Sequence, residues 1–159
     1  MRRRIHFDDD TTSSGALTEA DIDELESEGY RAIVDLRTED EELAEGRLDP
    51  LQEARLSRRR GLDHIHLPVH RAHPKMEKVQ TFLKILQELP RPVLVHCSGG
   101  KRSGAFLLIE RAVREGWSGR DALAEGRRVG YDPDDKDLEQ AVANYIDTFG
   151  LIAAHADEY

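Results

Sequence analysis

Cysteine is almost missing from this chain: Cys97 is the only one in 159 residues, so no disulfide can form within it. No Cys/His spacing suggests a zinc finger, and a lone free thiol is expected in a reducing compartment, here the cytoplasm. Long apolar runs are missing too. The longest uninterrupted one, Ala105 to Ile109, is far too short to cross a bilayer. Arg2-Arg3-Arg4 resembles the start of a signal peptide, but Asp8-Asp9-Asp10 follows where an apolar stretch would be needed. Positive charge is in the minority: the net charge of −9 argues against a nucleic-acid or anionic-membrane partner. No internal repeat or low-complexity tract appears. With 38% hydrophobic and 35% charged residues, the composition is that of one globular domain with a heavily charged surface. The expected division is a polar N-terminal segment, 1–15, followed by a single domain, 16–159.

The chemistry is concentrated around the single thiol. Val93-Leu94-Val95 runs into His96-Cys97, then come Ser98-Gly99-Gly100-Lys101-Arg102-Ser103-Gly104, and then Ala105-Phe106-Leu107-Leu108-Ile109. This pattern predicts a strand, a tight loop and a helix, with the thiol at the strand's end. Such a loop directs several backbone N–H groups to one point, and the helix N-terminus adds positive potential there. A cysteine at a helix N-terminus beside Lys101 and Arg102 has a lowered pKa and suits a nucleophile facing an oxyanion. A buried core thiol is the plain alternative, but two adjacent cations and a Gly-Gly pair are poor company for one.

Along the rest of the chain, residues 1–16 read as polar and irregular, with a short edge strand at Ile5-His6-Phe7. Thr18 caps a helix carrying Ile22 and Leu25 and ending at Glu28-Gly29. Ala32 to Leu36 reads as a buried strand, and Thr38 to Gly46 as an acidic loop or frayed helix start. A helix over about 50–60 uses Leu51, Ala54 and Leu56 as its apolar face, with Arg58-Arg59-Arg60 at its C-terminus. His64 to Val69 alternates as a strand, and Val79, Phe82, Leu83 and Leu86 mark the next helix. After the thiol-bearing segment, a mostly apolar helix reaches Glu115. Two more follow: about 121–128, and 134–149 with Asp132 as cap and Pro133 at its first position. Strands separated by helices give an α/β fold, a mostly parallel central sheet flanked by helices, with the site at the C-terminal strand ends.

His96-Cys97-x-x-Gly100-x-Arg102-Ser103-Gly104 resembles the signature loop of cysteine-dependent protein tyrosine and dual-specificity phosphatases. Two upstream stretches extend the likeness: Ser14 to Asp21 with Gly29 to Arg37, and His64 to Val69. Both resemble a bacterial branch sometimes called beta-lactamase-hydrolase-like phosphatases. Together these stretches span about residues 13–112. The resemblance implies a phosphatase-like fold of the dual-specificity type and hydrolysis of phosphate monoesters without a cofactor. Cys97 would be the nucleophile and form a cysteinyl-phosphate. Arg102 would grip two phosphate oxygens, and Ser98, Gly99, Gly100 and Lys101 would complete the phosphate-binding loop. Ser103 would bond the thiolate and His96 would orient the loop from behind. The partner would be a phosphorylated protein or small molecule.

Two departures matter. Four residues separate Cys97 from Arg102, where the usual phosphatase loop has five. That shorter gap also occurs in rhodanese-type sulfurtransferases, so persulfide chemistry at Cys97 is an alternative. The family's general-acid aspartate is also missing: 70–77 reads His-Arg-Ala-His-Pro-Lys-Met-Glu. His70 or His73 could protonate a leaving group, and Glu77 sits at a helix start. Without an acid, a weakly active phosphate-binding module is the third reading. His64, His66, His70, His73 and His96 form no metal-ligand pattern, so no metal is expected. Trp117 reads as a packing residue, and the acidic run Asp132 to Asp137 as helix capping.

Overall fold

The structure, a computed structural model, describes residues 4–71 and 74–156. Its elements run β1 (Ile5–His6), β2 (Thr11–Ser14), α1 (Glu19–Ser27), β3 (Ala32–Asp35), α2 (Pro50–Arg59) and β4 (Asp63–His66). Then follow α3 (Met76–Glu88), β5 (Val93–His96), α4 (Lys101–Glu115), α5 (Gly119–Val129) and α6 (Lys136–Ala156). One five-stranded sheet has the order β1-β2-β5-β3-β4. Every neighbouring pair is parallel except β1 with β2. The chain is therefore α/β with a mostly parallel sheet, as its alternation of strands and helices implies.

Side-chain alternation along the strands builds two cores. Ala32, Val34, Val93 and Val95 face the larger one, with Phe82, Leu86, Phe106, Leu107, Val142 and Ile146 from the helices. Ile33 and Leu94 face the other way, onto Leu17, Ile22, Leu25 and Leu62. Phe82 and Phe106 meet edge to face at 5.2 Å. The helix after the thiol is the central one. Residues 102–110 of α4 are all buried, which is why that stretch shows no polar face.

Three expectations need correction. The polar N-terminal stretch is not irregular throughout: it contains β2, whose four residues are buried and pair with β5. The β2 sequence, Thr-Thr-Ser-Ser, carries no apolar signal, because its hydroxyls bond neighbours instead of packing in the core. In α2, Leu51 is 60% exposed. Ala54 is buried and Leu56 packs against the core as expected, while Glu53 and Ser57 share that buried face, so a charge lies where the apolar pattern places Leu51. Helix α6 starts at Lys136, because Asp134 adopts φ 50° and breaks helical geometry after Pro133. Asp135, not Asp132, accepts from the Leu138 N–H, and the helix runs on through Gly150.

Candidate active site

The C-terminal end of β5 lies between β2 and β3, and Cys97 follows it directly. Gly100 turns the chain into α4 at φ 95°, a left-handed conformation that favours glycine. That turn points the Gly100 N–H at Cys97 Sγ, 3.1 Å away. Ser103 Oγ lies 3.5 Å from the same sulfur and 2.7 Å from Ser13 Oγ. Each hydroxyl has one proton. A chain in which Ser13 donates to Ser103 and Ser103 donates to the thiolate therefore satisfies the geometry. Burial opposes ionisation of Cys97. The Ser103 N–H and hydroxyl, the Arg102 charge and the Gly100 N–H outweigh it, leaving the thiol pKa below its ordinary value.

Arg102 is buried and held from one side. Its Nη1 and Nη2 donate to the two carboxylate oxygens of Glu41 at 2.8 and 2.7 Å, and Nη1 also donates to the Val69 carbonyl at 2.9 Å. A guanidinium has five N–H groups. These bonds use three and leave Nε–H with one Nη2–H, the parallel pair that suits two oxygens of an oxyanion. Glu41 also accepts from the Ser98 hydroxyl at 2.6 Å, from the Thr38 N–H and from Arg71. Burial would raise its pKa. Arg102, Ser98 and Thr38 override that and hold the carboxyl well below the usual carboxylate range.

A cavity of about 430 Å³ opens over the thiol, lined by Arg71, Cys97, Ser98, Gly99, Lys101, Arg102, Asp135 and Leu138. Three cations therefore surround one nucleophile on an acidic protein. Asp135 is the carboxylate among these described lining residues, although its position reads from sequence as helix capping. His70 lies on the adjoining cavity with Thr38, Asp40, Glu41, Glu42 and Arg71, and does not line that of Cys97. His73 lies outside the described residues, and Glu77 is exposed on α3. Behind the first turn of α4, the Tyr131 hydroxyl donates to the Lys101 carbonyl at 2.7 Å. The Tyr131 ring fills the space that a Cβ on Gly104 would need.

On the opposite sheet face, strand register assembles a buried charge cluster. Asp35 pairs with His96 across β3–β5 and with His66 across β3–β4, and Ile33 pairs with His64. Glu53 Oε2 lies 2.7 Å from His64 Nε2 and 2.8 Å from His96 Nε2. Asp35, Glu53 and His96 have ligand-type atoms within 4.8 Å of one another. Arg37 lies among the carboxylates and donates to Asp35 at 2.8 Å and to Glu53 at 3.4 Å.

A parallel-rich α/β sheet carrying a thiol and an arginine around a cationic cavity at its strand ends defines a cysteine-phosphatase-like protein. Residues 10–144 match the family described as DSP-PTPase phosphatase fused to NAD+ kinase, and the chain belongs to it. It is 36% identical over 97 residues to the dual specificity protein phosphatase TpbA of Pseudomonas aeruginosa strain UCBPP-PA14, covering 58% of this chain and 44% of that protein. It is 24% identical over 130 residues to the beta-lactamase hydrolase-like protein of Agrobacterium fabrum, covering 82% of this chain and 30% of that protein. The chain thus spans less than half the length of these curated relatives. Among solved structures, a DUF442 protein of Shewanella putrefaciens CN-32 superimposes with TM-score 0.75 at 21% identity, covering 93% of each chain. The fold is thereby that of the phosphatase relatives the signature loop resembles. No described helix is long and apolar enough to cross a membrane.

Proposed function

We propose that the chain hydrolyses phosphate monoesters through a cysteinyl-phosphate on Cys97. One observation carries this reading: a thiol with lowered pKa and a clamped arginine, its unclamped donors on the side of that thiol, face one cavity lined by three cations. Cys97 thiolate attacks phosphorus and an S–P bond forms as the P–O bond to the leaving group breaks. Arg102 holds two of the non-bridging oxygens, and backbone N–H groups of the loop other than those of Gly100 and Ser103, which turn to the sulfur, hold the rest as charge builds on them. The leaving oxygen departs as an oxyanion that takes its proton from water in the open cavity, so good leaving groups are favoured. Water then attacks phosphorus, the S–P bond breaks, and the thiolate is regenerated against the Ser103 hydroxyl. The substrate is a phosphorylated protein or small molecule that enters an open, cation-lined cavity from solution.

Hydrolysis of para-nitrophenyl phosphate between pH 5 and 8, wild type beside Cys97→Ser, tests the reading. Turnover lost by about 10³-fold or more in the variant supports it. Equal rates in the two proteins overturn it. Wild-type protein without turnover, but yielding thiocyanate from thiosulfate and cyanide, would move Cys97 to sulfur transfer instead.

A further inference from the structure

Adjacent residues of a strand point to opposite faces, so Cys97 faces α4 while His96 is buried on the α2 side among charges that take no part in the chemistry above. We propose that Glu53 is a positioning residue for the Cys97 loop: it keeps His96 doubly protonated, and that imidazolium anchors the first peptide of the loop. The inference goes beyond the phosphatase reading in assigning Glu53 and His64, and rests on that reading only for its effect on turnover.

The proton assignment follows from the hydrogen bonds. Carboxylate and carbonyl oxygens only accept. His96 Nε2 lies 2.8 Å from Glu53 Oε2, and its Nδ1 lies 3.3 Å from the Cys97 carbonyl oxygen. Both nitrogens must therefore carry hydrogen, which makes the ring a cation. His64 differs. Its Nε2 donates to the same Glu53 oxygen, while its buried Nδ1 has no partner. A single hydrogen on Nε2 is enough for that one bond, so the hydrogen bonds of His64 do not demand a second.

Charge balance agrees with this assignment. The groups facing His96 are Glu53 from α2, Asp35 from β3 at 3.8 Å, Arg37 after β3, and His64 from β4 through Glu53. Two carboxylates against Arg37 leave one negative charge, and an imidazolium at His96 cancels it. Burial opposes the charge on His96. Glu53 and Asp35 outweigh it and push the pKa up to about 9.

The consequence for the loop is geometric. In a trans peptide the C=O and the following N–H point in opposite directions. Tying the Cys97 carbonyl to His96 on the α2 side therefore aims the Ser98 N–H toward the cavity side. A cation one residue from the sulfur also favours the thiolate. Glu53 touches neither sulfur nor substrate; it acts through His96.

Two readouts independent of turnover test this. Nitrogen-detected NMR of the His96 ring in the wild type should show an imidazolium up to about pH 8; a neutral His96 at pH 7 overturns the proposal without any variant. Iodoacetamide alkylation of Cys97 against pH is compared between wild type and Glu53→Gln. The expected result is a midpoint raised by about one pH unit in Glu53→Gln, a tenfold smaller thiolate fraction below it. A folded Glu53→Gln protein with an unchanged midpoint overturns it. Should that variant fail to fold, His64→Leu leaves the Glu53–His96 pair in place and should keep the wild-type midpoint; a rise in it would overturn the proposal. If the protein turns over aryl phosphates, Glu53→Gln should lower kcat more than it changes KM. Absence of turnover would count against the phosphatase reading alone, since alkylation and NMR need none.

Discussion

Arg102 is always charged, so what its neighbours control is its direction. Glu41 sets that direction by gripping both Nη atoms, and the Val69 carbonyl fixes the remaining Nη1 hydrogen. Glu41→Gln keeps the shape but replaces one accepting oxygen with a donor that opposes Arg102. The expected outcome is a loss of about 10²-fold in kcat/KM for aryl phosphate, with the fold intact by circular dichroism. An unchanged kcat/KM would mean that the guanidinium is oriented without Glu41. The Cys97-to-Arg102 segment is legible in the sequence because a thiol beside two cations and two glycines suits an anion-facing nucleophile far better than a core. Glu41 is not legible: it sits in the run Glu39-Asp40-Glu41-Glu42, and composition cannot say which of several neighbouring carboxylates turns inward. Glu53 is hidden for the same reason, as one acid on a helix whose exposed Leu51 suggests a different face.

Helix α4 is held at its first turn by Tyr131, which caps the Lys101 carbonyl and packs into the gap at Gly104. A methyl at Gly104 meets an aromatic ring that is itself buried, so neither side can yield cheaply. Gly104→Ala is expected to cost about 1–3 kcal/mol, read as a lowered melting temperature, and to disturb the Ser103 hydroxyl next to it. A melting temperature equal to wild type would show that the ring moves freely. Elements with apolar periodicity, α1, α3, α4 and β5, can be placed from sequence within a few residues. Strand β2 cannot, since Thr11 to Ser14 is buried by pairing with β5 and by hydroxyl contacts that no hydrophobic pattern records. The start of α6 lies later than the sequence suggests. Pro133 commonly opens a helix, while the left-handed turn at Asp134 that delays this one leaves no mark beyond an aspartate.

At the scale of the whole molecule, β5 occupies the middle of the sheet, with β2 and β3 hydrogen-bonded on its two sides and a core on each face. The alternation of strands and helices makes an α/β sheet readable, but the strand order depends on which edges meet in space, and β1 and β2 extend it on the side a polar segment does not advertise. Central placement has a consequence in time. The amides of Val93 to His96 can meet solvent only when a strand on either side has been peeled away, so they should exchange with deuterium at the rate of global unfolding. Ile5 and His6, in the two-residue edge strand, should exchange orders of magnitude sooner. Mass-resolved exchange on peptides covering the two strands would measure this. Similar rates would mean that β5 opens locally; well-separated rates would mean that the segment leading to Cys97 keeps its shape for as long as the protein stays folded.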